Sequence, residues 1–449
     1  MGPSAAQVTL RGLCGGAVHL PGDPAYDLAR TAWNTAVDQR PAAVAYPADP
    51  AEVAALLRAA RAVGLRVASQ GTGHHADALG PLDDTILLRT AAMTGLSVDR
   101  AARRARVGAG MLWVDVVDAV SPLAALHPAA PDVGVVGFSL SGGLSWYGRA
   151  LGLQSNAITA VELVTAGGDA VRADADHEAD LFWALRGGGA NFGVVTALEF
   201  ALHPVPEVHA GLLAWDAARA ERVLAAWVDW AASAPETVTT AARVMPAPGA
   251  LTDLRGRQLL VVNGAVLGPA GAALAPLRGL RPEVDTFARV PAAALARLHL
   301  EPEGPRPDDG RESLALRQLD GAGVAALLAA AGTGGLELRH LGGALGRPLP
   351  TGGAVSHVDG AFLLVARPGS RGLFEAAAPY ATGRRYLALT AGRGDVSAGY
   401  DPAAWPRLRA IRAAVDPDGL LVAGHPIPSA REVAPKRAPS RRQGPWPTV

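Results

Sequence analysis

The first half of the chain alternates short apolar runs with segments of helical period, and glycine-rich stretches separate them. Residues 42–46 predict a strand. Asp49-Pro50-Ala51-Glu52 predicts a helix start, with Asp49 as N-cap, Pro50 in the first helical position and Glu52 in the first turn. Val53, Leu56, Leu57, Ala60 and Val63 follow at helical spacing, and Gly64 ends the helix. Strands are predicted at 65–68 and 85–88, with a loop between them that contains Gly71 to His75. This β-α-β-loop-β order is of parallel-sheet type. Hairpin character follows at 96–99 and 105–110, then a helix at 112–120, strands at 158–165 and 169–172, a short helix at 180–186 and a strand at 194–201.

Beyond Pro204-Val205-Pro206 the glycine-rich loops cease. Helices at 219–232 and 323–331 and strands at 259–263, 336–341 and 362–365 predict an α+β domain with an antiparallel sheet. A strand at 386–389 and a helix at 404–415 form a closing unit. The division expected is an extension over 1–40, a first domain over 41–206, a second over 207–384, a closing segment over 385–430 and a loose tail over 431–449.

At 449 residues the chain has room for about three folding units. Lys+Arg and Asp+Glu are 41 each, so no electrostatic footprint of a nucleic-acid binder exists. Cys14 is the single cysteine, which rules out an internal disulfide and a cysteine-based metal cluster; no metal is expected. No stretch of about 18 apolar residues predicts a membrane span. No secretory leader is visible, so the cytoplasm is the default location.

Gly71-Thr72-Gly73-His74-His75-Ala76 fits a dinucleotide-binding variant, but residues 79–83 break the chain before a strand, where a Rossmann unit needs a helix. A loop of small residues can still cradle phosphates through its backbone N–H groups. Ser141 nearly satisfies the G-x-S-x-G pattern of serine hydrolases, but Ser139 stands at the first glycine position. Trp113, Trp146 and Trp183 read as core.

Five motifs in order carry a resemblance: Gln70-Gly71-Thr72-Gly73-His74; Val107 to Gly110; Asp132-Val133-Gly134-Val135-Val136-Gly137 with Gly142-Gly143; Tyr147 to Leu153; and Leu181 to Gly189 with Asn191 to Thr196. Residues 41–206 resemble the PCMH-type FAD-binding domain of the vanillyl-alcohol oxidase superfamily, in its berberine-bridge-enzyme-like group. Tyr386 and the segment from Asp416 to Ile427 resemble the element that closes such chains. The fold class implied is α+β: a PCMH-type domain of two α+β subdomains, plus a substrate domain whose antiparallel sheet is covered by helices.

The resemblance implies an FAD cofactor. Gly71, Thr72 and Gly73 would hold its pyrophosphate, and His74 would bond covalently to the isoalloxazine. His75 would be a neighbour without a role. Ala130 stands where many relatives have a second, cysteinyl link, so no such link is expected. Val133 matches a position that admits dioxygen, which favours an oxidase. Gly143, Gly193 and Val195 would line the adenine and ribityl portions, with Gln70, Pro131, Asp132, Gly134, Gly137, Ser141, Gly142, Tyr147, Gly148, Leu153 and His425 as further cofactor-binding candidates. Two asparagines frequent in the family are replaced here by Ala388 and Gly424.

The function implied is hydride transfer from a small organic substrate to flavin N5, with reoxidation by dioxygen, in a monomer or homodimer. Tyr386 is the first candidate for the catalytic base by motif position. His340 is the second, because its ordinary pKa suits proton transfer, although it also reads as a satisfied sheet residue. The replaced asparagines keep open a flavin-binding protein without turnover.

Overall fold

In the computed structural model, which describes residues 10–428 except 250, 301, 333, 334 and 393, the β-α-β-loop-β run forms a parallel sheet. The tail expected over 431–449 lies outside the described residues. Ala43–Ala45, Thr85–Arg89 and Arg66–Gln70 pair in parallel, in that spatial order. The Asp49 carboxylate accepts the Glu52 N–H at 2.9 Å, and Glu52 reaches back to the Ala48 N–H at 2.7 Å. Both orphan donors are therefore met at the start of the helix Pro50–Ala62, whose Val53, Leu56, Leu57 and Ala60 are buried.

Two short strands extend this sheet. Val18–His19 adds antiparallel beside Ala43–Ala45, and Leu421–Val422 adds parallel beside Arg66–Gln70. The second addition depends on the buried carboxylate of Asp416, which accepts the N–H groups of Leu420 and Leu421 at 2.9 Å each and pairs with Arg412 at 2.8 Å. A second sheet of five antiparallel strands is ordered Leu96–Asp99, Arg104–Gly108, Val194–Ala201, Ile158–Val164, Ala170–Asp174.

The third sheet has eight strands, all antiparallel. Its central order is Glu207–Asp216, Gln258–Val266, Val238–Pro246, Leu336–His340, Phe362–Ala366, Glu312–Leu316. Leu224 and Trp227 of the helix Ala220–Ala231 and Val324 and Leu327 of Gly321–Ala331 bury against one face. The fold class is the α+β arrangement expected, with helices covering an antiparallel sheet. Glu207–Asp216 and Val238–Pro246 carry no strand signal in the sequence because most of their residues are buried on both faces, which removes the alternation.

The strand expected at 386–389 is corrected to a 3₁₀ turn, Leu387–Leu389, after an extended Tyr386. Side-chain hydroxyls take the local backbone partners: the Tyr386 N–H donates to Ser313 Oγ at 2.9 Å, and Thr390 Oγ1 donates to the Tyr386 carbonyl at 3.0 Å. Among the described residues no helix is long and apolar enough to cross a membrane.

Candidate active site

The glycine-rich loops, the large sheet and the closing segment meet around one cavity of about 400 Å³, within the size range of small-molecule sites. Gln70, Gly71, Thr72, Gly73, His74, His75, Val133, Gly134, Gly137, Ser141, Gly193, Val195, Tyr386 and His425 line it.

The glycines divide by the reason for their presence. A Cβ added at Gly73 would come within 2.6 Å of Gln70 Nε2 and 2.8 Å of Ala32 Cβ, and its φ is 89°. One at Gly193 would meet Leu163 at 2.5 Å. Protein packing therefore requires both glycines. A Cβ at Gly71 or Gly134 would find its nearest neighbour at 3.7 or 3.9 Å, and one at Gly137 would meet nothing within 4 Å. None of these three has a positive φ. Neither backbone strain nor packing calls for glycine there, yet all three face the cavity. Their missing side chains leave room for a ligand to approach the backbone.

His74 shares a 2.7 Å hydrogen bond with Thr72 through Nδ1 and stacks on Trp33 with ring centroids 3.8 Å apart. Its Nε2 is buried without a hydrogen-bond partner, 3.8 Å from Asp132 Oδ1. Asp132 accepts from Trp33 Nε1 and from the Gly304 N–H, each at 2.8 Å. Burial would raise the Asp132 pKa, but His74, the Gly304 N–H and Trp33 outweigh it and hold the carboxylate well below the usual range. His74 is thus a fixed ring in the cavity wall. Trp33, from the segment expected as a mere extension, is a site residue that sequence reasoning missed.

Ala130 also lines the cavity. Cys14 packs with Leu10 and Val18 beneath the first sheet, where burial and then the charges of Glu52 and Asp49 push its thiol up to about 12. His75 and His425 face each other with centroids 6.4 Å apart, and burial lowers both pKa values, His75 to about 4. Ala388 and Gly424 line the cavity as well. A Cβ at Gly424 would sit 3.1 Å from Ala78 Cβ, so the space an asparagine would need is already tight.

The sheet side supplies side chains. Tyr386 is buried, and its Oη accepts the Leu144 N–H at 3.1 Å. Burial raises its pKa, while the Gly143 and Leu144 N–H groups and the charge of Arg339 pull the other way without cancelling the rise. Arg339 lines the cavity and donates through Nε to Glu337 at 2.6 Å. Glu337 lies 3.6 Å from His299 Nε2, and His299 reaches the cavity wall. Burial alone would raise the Glu337 pKa, but Arg339 and then His299 carry it well below the carboxylate range.

His340 requires a correction. Along Leu336–His340 the residues alternate buried and half-buried, so His340 shares the face of Leu336 and Leu338. Its ring sits among Trp227, Trp230 and Phe362 under the helix Ala220–Ala231, and burial lowers its pKa to about 3. It faces away from the cavity. Glu337 and Arg339 occupy the opposite phase of the same strand.

Other candidates stand behind the wall. Pro131 accepts the Val114 N–H through its carbonyl. Gly142 and Gly143 leave room for the Tyr386 and Phe138 rings, and Gly148 for Leu345. Tyr147 donates to the Ala292 carbonyl at 3.0 Å, and Leu153 is fully buried in the cluster that holds Tyr386. These residues support the site by packing.

Residues 41–174 match the model of the family described as FAD binding domain. The chain is similar to the PCMH-type FAD-linked oxidoreductases of the berberine-bridge-enzyme-like group. It is 35% identical over 203 residues to (R)-6-hydroxynicotine oxidase of Paenarthrobacter nicotinovorans, an alignment covering 44% of each chain. It is 30% identical over 213 residues to glucooligosaccharide oxidase of Sarocladium strictum, covering 46% of this chain and 43% of that one. The matched sequence thus spans less than half the length of these relatives. Superposition on the crystal structure of 6-hydroxy-D-nicotine oxidase from Arthrobacter nicotinovorans covers 90% of this chain and 95% of that one, with a TM-score of 0.79 and 25% identity. For FAD the glycine cradle fits: Gly71, Gly134 and Gly137 leave backbone open that a flat coenzyme could approach, and the orphaned His74 nitrogen lies in the same cavity wall.

Proposed function

We propose that this flavoprotein is an oxidase that removes a hydride from a small organic molecule and passes its electrons to dioxygen. The observation that carries this reading is a single cavity with a glycine cradle on one side and a phenol and a guanidinium on the other. The relatives named for oxidation of 6-hydroxynicotine and of glucooligosaccharides support a small organic substrate, and secondary metabolism is the proposed setting. When bound, FAD supplies a hydride acceptor at N5 and a two-electron route to dioxygen that yields hydrogen peroxide.

The chain's own residues do the rest. Backbone N–H groups of residues 71–73 hold the pyrophosphate. His74, fixed by Thr72 and Trp33, is the proposed point of covalent attachment, with no cysteinyl link. Tyr386 takes the proton from the substrate O–H or N–H while the neighbouring C–H leaves as hydride. For this Tyr386 must start as the phenolate and end as the neutral phenol, and the Leu144 N–H and the charge of Arg339 favour that starting form. Val133 leaves space for dioxygen.

The purified protein is expected to be yellow, and the colour to remain with the polypeptide after acid denaturation. His74→Ala should release its flavin under the same treatment; colour that still stays with the variant chain rules out this attachment. Ala388 and Gly424, where the family often has asparagine, favour a second reading, flavin binding without turnover. Substrate-induced bleaching that recovers in air separates the two.

A further inference from the structure

Arg339 is one of four arginines that line the cavity. Arg306 lies over the Trp33 ring at 4.6 Å, Arg311 lies 4.0 Å from Asp308, and Arg385 lies 3.8 Å from Glu312. Arg339 uses Nε on Glu337 at 2.6 Å, and among the described residues its two terminal nitrogens have no acceptor. Its position in the wall is fixed from behind, because Glu337 is itself held near His299 Nε2 at 3.6 Å. The side chain is only 23% exposed and lines the cavity, so the guanidinium is largely screened from bulk water. The cavity wall as a whole is largely apolar and includes Leu144, Val355 and Leu387.

A planar guanidinium with one edge anchored and the other free matches a carboxylate in two parallel hydrogen bonds. A few placed polar groups in an apolar pocket fix ligand orientation. We infer that the substrate carries a carboxylate on a mainly apolar body, and that Arg339 binds it in a two-point contact beside Tyr386. This inference rests on the cavity being the substrate site of the proposed oxidase, and it adds the substrate's charge class.

The test uses calorimetry on the purified holoprotein with three matched pairs: benzoate and benzamide, phenylacetate and phenylacetamide, 3-phenylpropionate and its amide. At least one acid should bind about tenfold or more tighter than its amide, the scale of hydrogen bonds to a charged group. Arg339→Gln should erase that preference, and Arg339→Lys should keep only part of it, since the charge remains but the fork is lost. No acid preference in any pair overturns the inference without any variant. So does an Arg339→Gln protein of unchanged flavin content and circular dichroism that still prefers the acid. Flavin content reports separately on the parent reading: a colourless protein that takes up no FAD ends the oxidase proposal, while the acid-amide comparison still decides the carboxylate site.

Discussion

On the loop side of the cavity, Gly71, Gly134 and Gly137 present bare backbone and empty space. On the sheet side, Tyr386 and Arg339 present functional groups, each locked by a partner: Leu144 for the phenol, Glu337 for the guanidinium. The loop side recognises through what is missing, and any side chain there intrudes. The sheet side recognises through side chains, and its chemistry changes with each substitution while the fold persists. The first arrangement suits a constant coenzyme, the second a variable substrate.

The largest effect that would sharpen this contrast is expected from Tyr386→Phe. It should lower kcat by about 10²–10⁴, the usual worth of a positioned proton acceptor, with flavin content unchanged. A variant within a few-fold of wild type moves the proton to another group. Because burial raises the Tyr386 pKa, kcat/KM should also climb with pH above neutrality as the phenolate fraction grows. A rate that is flat between neutral and alkaline pH contradicts that role.

Gly137→Leu tests the other wall. A Cβ there meets no protein atom within 4 Å, so the variant should fold. It should bind FAD about 100-fold more weakly, equivalent to roughly 3 kcal/mol of steric conflict. Gly148→Leu is the counterpart, since its Cβ would strike Leu345 at 2.9 Å. It should cost about 1–3 kcal/mol of stability through overpacking. Equal loss of FAD and of stability in both variants breaks the distinction between cradle and core glycines.

Histidines buried behind the walls give a smaller, pH-dependent effect. His127 is 2% exposed, its Nδ1 lies 2.8 Å from the Pro128 carbonyl, and burial lowers its pKa from 6.5 to about 4. The unfolded chain therefore binds this proton first as pH falls. The contribution is complete above pH 6.5 and is lost as pH drops toward 4. From pH 7 to 5 it amounts to about 2 kcal/mol. Urea midpoints at the two pH values should show the loss, and His127→Gln should remove this histidine's share of it. The smallest functional effect is expected from His340→Ala: about 1–3 kcal/mol less stability with kcat intact, because the ring fills the core among Trp227, Trp230 and Phe362.

Much of the loop side could be read from the chain. Glycines, the Asp49 cap and the order of apolar runs are local signals, and the family resemblance that the glycine motifs carry pointed to the coenzyme and to His74. The sheet side was legible in one respect. In Leu336-Glu337-Leu338-Arg339-His340 the two charged residues are in phase with each other and out of phase with His340. That period of two already separates Glu337 and Arg339 from His340. It does not say which phase meets the cavity, because that depends on the helices over the other face.

What the sequence alone determined is therefore the set of backbone permissions: where turns can form, where a helix starts, and where small residues leave the backbone bare. The tertiary structure decided which glycines serve the cavity and which serve packing, brought Trp33 and Asp132 to His74 across the chain, and turned Arg339 inward. The physical reason is range. Propensity and capping act within a few residues, whereas burial, charge pairing and cavity shape depend on groups hundreds of positions apart.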